Sequence, residues 1–250
     1  MSSTLVYILI FNFAASLLSL TGGVILLLKT DLMGKIAHLL ASFAAGALLG
    51  TVFFDLLPEA ANIKTNHNIF LWTLVGVLAF FFLERSVHWL HHHQHPHQKS
   101  DSKPTVLLLL LGDTVHNFID GVAIATTFLV SVPLGIVTSV AVAAHEIPQE
   151  IGDFGVMLNE GYARRKIVLF NLFSAFASIV GAVITFFIGA RIEGYLPILL
   201  ALTAGFFIYI AASDLIPEIH ENNLKGFAAL ESFLLVAGVF TIWIFVSLLG

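Results

Sequence analysis

Between Asp113 and Asp153 the sequence sets two groups of ionisable residues into apolar surroundings. His116, Asn117 and Asp120 lie in one segment, and His145, Glu146, Gln149 and Glu150 in the next, across the short break Ser131-Val132-Pro133. A charge at the centre of a membrane costs about 2.5–3.5 kcal/mol on insertion scales, so such residues mark function. Residues three and four apart share one face of a helix. Asp113, His116, Asn117 and Asp120 therefore form one stripe, and His145, Glu146, Gln149, Glu150 and Asp153 a second. Helices joined by so short a turn are neighbours, so the stripes can face each other. That would unite two imidazoles, an amide pair and at least three carboxylates, with no lysine or arginine nearby. Their negative charge needs a counter-ion, and a divalent cation is the natural one. The sequence has no cysteine, which excludes thiolate ligands and disulfides. Imidazole with carboxylate suits zinc first, then iron, manganese or cobalt.

Pro148 falls inside the second stripe. A mid-helix proline frees the carbonyl four residues back, here that of Ala144, beside the proposed ligands; the plainer reading is a kink in a packed helix. Asp113 and Asp153 close the ends of their stripes, where they are expected to meet headgroups or line an exit.

The elements that position these residues follow from composition. Of 250 residues, 58% are hydrophobic and 11% charged, against about 45–50% and about 25% in soluble domains, which makes an integral membrane protein. No basic face is available for nucleic acid. About 20 apolar residues cross a bilayer as a helix. That template gives eight spans: 5–28, 37–58, 68–88, 105–130, 133–158, 167–189, 196–217 and 227–249. The first lacks a positively charged start and exceeds a signal-peptide apolar run of about 7–15 residues, so it reads as a span. Loops are short apart from 89–104, so one transmembrane domain covers 1–250 and its chemistry belongs within the bilayer.

Basic residues orient the chain. With the amino terminus outside, the inner loops hold nine: Lys29, Lys35, Arg85, Lys99, Lys103, Arg164, Arg165, Lys166 and Lys225. The outer loops hold two, Lys64 and Arg191. Both termini are therefore expected outside. The chain also repeats itself: Ala45-Gly46 and Asp55-Leu56-Leu57-Pro58-Glu59 return as Ala204-Gly205 and Asp214-Leu215-Ile216-Pro217-Glu218, offset by 159. His116 to Asp120 match His145 to Gln149 at an offset of 29. The paired spans cross in opposite directions, and inverted repeats around a midplane site mark secondary transporters.

At these residues the sequence resembles the ZIP (Zrt/Irt-like) family of divalent-metal transporters. HNFIDG matches that family's fourth-helix motif His-Asn-x-x-Asp-Gly, HEIPQEIGDF resembles its His-Glu-x-Pro-His-Glu motif, and FIYIAASDLIPEI looks like its seventh-helix signature. The resemblance covers nearly the whole chain. It implies an all-α integral membrane protein of eight transmembrane helices in a 3+2+3 arrangement with inverted repeats. It further implies a homodimer in the cell membrane, and an elevator-like movement of the metal-binding helices against the repeat-related frame. The metal is then cargo and not a catalytic cofactor: zinc, with iron, manganese, cobalt or cadmium as other candidates. Carried over by residue, His116, Asp120 and His145 are primary ligands, and Asn117 and Glu146 serve a second, adjacent position. Gln149 stands where the family has histidine or glutamate, and a neutral amide binds metal more weakly. Asp55 stands where many relatives have histidine. Asn171, Ser174 and Ser178 share a face of the sixth span and either line the path or pack helices.

His88, His91, His92, His93, His95 and His97 surround the cytoplasmic loop 89–104, a composition that binds zinc loosely. Two other functions stay open. His145-Glu146 invites comparison with H-E-x-x-H, in which two histidines hold zinc and glutamate activates water, giving an intramembrane zinc hydrolase. Gln149 at the fifth position and Pro148 both depart from that motif. A metal sensor built on the histidine loop would leave the repeats unexplained.

Overall fold

In the computed structural model, residues 3–26, 30–92, 103–221 and 228–249 are described, and every element among them is helical. The elements are α1 (Ser3–Leu26), α2 (Thr30–Thr51), α3 (Leu57–Asn62), α4 (Ile69–His92), α5 (Lys103–Val130), α6 (Val132–Asn159), α7 (Arg164–Ile192), α8 (Leu196–Tyr209), α9 (Ile216–Glu221) and α10 (Ala228–Leu249). Two π-helical stretches, Val52–Leu56 and Ile210–Leu215, join α2 to α3 and α8 to α9 into continuous spans.

Six spans are long and apolar enough to cross a membrane by length and composition. The other two, α5 and α6, are polar in the middle, yet each has 28 residues and so reaches about 42 Å. Large apolar side chains face outward, Phe173 at 73% exposure, Phe187 at 69% and Leu248 at 77%, as lipid contact demands.

The expected boundaries move at several ends; the seventh span, expected over 196–217, runs on to Glu221. The second span, expected over 37–58, runs from Thr30 to Asn62, because Pro58 does not end it. Proline removes a backbone donor and crowds the carbonyl four residues back. Here the preceding turn widens instead, and the N–H of Leu57 reaches the carbonyl of Val52. The same solution recurs before Pro217, where the N–H of Ile216 reaches the carbonyl of Ala211. The third span, expected to end at 88, continues to His92, since no helix breaker precedes Pro96.

The helices fall into two groups of four spans. In one, α5 packs against α7 and α1 against α6; in the other, α2 packs against α10 and α4 against α8. The offset of 159 that relates the second span to the seventh exchanges these pairs within each group. Gly46 and Gly205 occupy equivalent positions and serve equivalent contacts. A Cβ at Gly46 would run into the Leu235 carbonyl of α10, and one at Gly205 into the Thr73 carbonyl of α4. The groups meet chiefly where α6 crosses α2.

Candidate metal centre

The turn between α5 and α6 sets the two stripes face to face. Ser131 is extended, and its Oγ accepts the N–H of Leu134 at 3.2 Å while Pro133 occupies the first turn, so α6 starts at a defined residue. α6 then runs unbroken through Pro148 to Asn159.

Four side chains converge between the two helices. His116 Nε2 lies 3.1 Å from His145 Nε2, 3.7 Å from Asp120 Oδ2 and 3.6 Å from Glu146 Oε1. His145 Nε2 lies 3.2 Å from Asp120 Oδ2 and 3.9 Å from Glu146 Oε1. All four residues are buried, and their ligand atoms lie within 4.8 Å of one another. Ligands about 2.0–2.1 Å from a tetrahedral zinc ion stand about 3.3–3.4 Å apart. The four atoms thus bound a space of the right size for a small divalent cation. Among the described residues none donates a hydrogen bond to Asp120 Oδ2 or Glu146 Oε1, so their lone pairs remain available. His145 Nδ1 lies 3.1 Å from the carbonyl of Ala141. Donation to that carbonyl assigns the proton to Nδ1 and leaves Nε2 as a lone-pair ligand, as in many metal sites.

Asn117 and Gln149 share the stripes but turn their amide nitrogens elsewhere. Asn117 Nδ2 donates to Asp113 Oδ1 at 3.0 Å and to the Asp113 carbonyl at 3.1 Å, with Ser174 Oγ at 3.4 Å. Gln149 Nε2 donates to the same Oδ1 at 3.3 Å. Asp113 is therefore no edge residue meeting headgroups: it is buried at 5% exposure and gathers both amides behind the centre. Two expectations from the resemblance are thereby rearranged in space. Glu146 stands with His116, Asp120 and His145, and Asn117 stands with Asp113. Glu150, one turn below Glu146, is also fully buried with neither carboxylate oxygen partnered.

On the sixth span, the packing role accounts for most of the polar face. Asn171 donates to the Ile167 carbonyl within its own helix. Ser178 sits where α5 and α7 approach so closely that a Cβ at Gly121 would run into its carbonyl. Ser174 alone of the three reaches the network around Asn117.

A cavity of about 340 Å³ begins at His116 and His145 and passes Gln149 to Asp153 and Asp214. Asp153 thus lines a route from the centre. From the centre, α4, α6 and the seventh span all proceed along this cavity toward the end where α4, α6 and α9 terminate. An aromatic wall borders it: Phe80 presents its edge to His116 at 5.5 Å and contacts Tyr209, whose hydroxyl donates to Glu84 Oε2 at 2.6 Å. Neither the wall nor its hydrogen bond was signalled by sequence spacing, because Phe80, Glu84 and Tyr209 join across 125 residues. α4 carries the backbone of His88, His91 and His92, while His93, His95 and His97 lie outside the described residues.

The H-E-x-x-H comparison fails on geometry as well as on composition. Its fifth position, Gln149, is tied to Asp113, and the second imidazole of the centre comes from α5.

Several known proteins named as zinc transporters are similar to this chain. Zinc transporter ZIP13 of Pongo abelii is 31% identical over 221 residues, covering 82% of this chain and 66% of that protein. Zinc transporter zipt-7.2 of Caenorhabditis elegans is 29% identical over 278 residues, covering 86% of this chain and 59% of that protein. Zinc transporter ZIP10 of Homo sapiens is 36% identical over 160 residues, 58% of this chain and 19% of that protein. The chain thus spans about two thirds or less of these relatives. A family model described as ZIP zinc transporter matches residues 2–107 and 98–245, which include every residue of the four-membered cluster. By that match and by its all-helical, multi-pass architecture, the chain belongs to the ZIP zinc transporter family.

Proposed function

We propose that this chain moves a divalent cation, zinc foremost, across the membrane into the cytosol, using His116, Asp120, His145 and Glu146 as the carrying site. The observation that carries the reading is the convergence of four ligand atoms, buried in the bundle, at the head of a cavity. A resident structural zinc would be sealed, whereas this centre adjoins open space and can release its ion. Asn117 and Gln149 act through Asp113, holding the outer layer of the site in register.

Direction follows from the basic residues. By sequence, nine of the eleven basic residues belong to the loops on the side toward which α4 and α6 run, and the cavity runs toward the ends of α4 and α6; that end is then cytoplasmic and the described state inward-facing. Both termini are then outside, with the spans arranged 3+2+3 as inverted repeats in a single domain. The moving unit comprises α1, α5, α6 and α7, and α2, α4, α8 and α10 form the frame; this grouping follows the tightest helix pairs. A homodimer in the cell membrane, as in the resemblance noted above, completes the assembly.

Zinc uptake into proteoliposomes containing an internal fluorescent chelator tests the proposal. Asp120→Ala and His145→Ala should each abolish flux. Tight zinc binding without crossing, accompanied by cleavage of a lipid or peptide, would replace the transport reading with a hydrolase.

A further inference from the structure

A second buried carboxylate lies far from the centre in sequence. Glu231, in the first turn of α10, is 6% exposed, and its Oε1 has no hydrogen-bond partner. It lines a cavity of about 250 Å³ together with His220, Ser232, Ile216, Ile219 and Leu235. A carboxylate near a helix start is stabilised by the helix dipole, which accounts for its place on α10. It does not account for a buried oxygen, beside a cavity, to which no described group donates a hydrogen bond. Leaving a buried polar atom without a partner is costly, and the groups around the cavity show what can meet it.

The remaining polar groups favour a cation. His220, on the last turn of α9, supplies an imidazole to the same cavity. Ser232 Oγ donates to the Ala228 carbonyl at 2.8 Å, so its lone pairs are left to accept or ligate. A water takes about 30 Å³ of liquid, so the space admits a cation that keeps several waters. Imidazole, carboxylate and hydroxyl together suit a divalent first-row metal, and fewer anionic ligands than at the first centre imply weaker binding. Along the seventh span this cavity follows Asp214, which lines the first one.

We infer that Glu231, His220 and Ser232 form a second, weaker divalent-cation site beside the junction of α9 and α10. Its binding stands on its own geometry. Its role as the last stop of a departing ion rests on the transport reading above.

Because the sequence has no cysteine, Ser232→Cys gives the full-length protein a single thiol at the cavity. The rate at which a maleimide alkylates that thiol, with and without zinc, reads the site locally. Zinc should slow alkylation at least about tenfold, since a metal-bound thiolate is no longer a free nucleophile. Adding Glu231→Gln should remove the protection while leaving the zinc-free rate unchanged, which also reports that α10 remains folded. Absence of protection, or protection that survives Glu231→Gln with His220→Asn, overturns the proposal.

The native site is read by equilibrium dialysis with radioactive zinc. The protein used carries Asp120→Asn and His145→Asn, with His88, His91, His92, His93, His95 and His97 also replaced by asparagine. A weak residual zinc should persist and disappear with Glu231→Gln. No residual zinc overturns the inference without touching the first centre. Absence of zinc flux by the unaltered protein in liposomes would sink the transport reading and leave this binding result standing.

Discussion

One converging ring of the first centre is held from behind, and so are two amides beside it. The Ala141 carbonyl holds the His145 ring, and Asp113 holds Asn117 and Gln149. On the proposed reading, this division separates residues that would touch the ion from residues that hold their surroundings in place. Glu146→Gln exchanges an anionic ligand for a neutral one, and the zinc dissociation constant should rise at least about tenfold by calorimetry on a variant lacking the loop histidines. Gln149→Ala should weaken binding less than Glu146→Gln, because its amide nitrogen is turned to Asp113. Equal losses would show that Gln149 ligates directly. The ligand stripes were legible in the sequence because helical spacing assigns His116, Asp120, His145 and Glu146 to facing sides. The partners of Asn117 and Gln149 were not, since an amide's orientation depends on an acid across the helix interface. Glu231 gave no signal either: a single acid at a helix start is ordinary until its burial is known.

At the scale of elements, hydropathy marks six spans among the described residues, and their charged middles single out α5 and α6 as the pair that carries the candidate site. The π-helical turns were hidden, because a uniform helical period has no place for them. Their signal was Pro58 and Pro217, each demanding relief from a missing donor within a helix. These wide turns sit at equivalent points of the repeat and carry Asp55 and Asp214. Helix contacts were less legible still. Gly121 belongs to the HNFIDG motif, yet its use is to let α5 meet the Ser178 carbonyl of α7. Gly121→Leu should therefore destabilise the protein by about 1–3 kcal/mol or more through overpacking, visible as a lower thermal midpoint in detergent. Gly152→Ala, where an added Cβ meets nothing within 4 Å, should leave that midpoint unchanged. A fall of equal size in both variants would contradict the packing account.

For the whole molecule, the repeat and the helix pairing agree. Exchanging the second span with the seventh and α5 with α6 reproduces the same neighbours in each group. On the proposed reading, one group would move against the other and present the candidate site to either side in turn. In the described state the cavity descends past Asp214. In the cysteine-free background, Asp214→Cys should react with a membrane-impermeant maleimide from the cytoplasmic side, and Asp55→Cys from the outer side in the opposite state. Labelling of Asp214→Cys from outside in intact cells would reverse the orientation. The central claim is narrower than any of this: one ion, four named atoms. Zinc-edge anomalous diffraction from crystals of the full chain grown with zinc tests it most directly. A peak about 2.0–2.2 Å from His116 Nε2, His145 Nε2, Asp120 Oδ2 and Glu146 Oε1 is the expected result; zinc bound elsewhere, with those side chains turned apart, would contradict it.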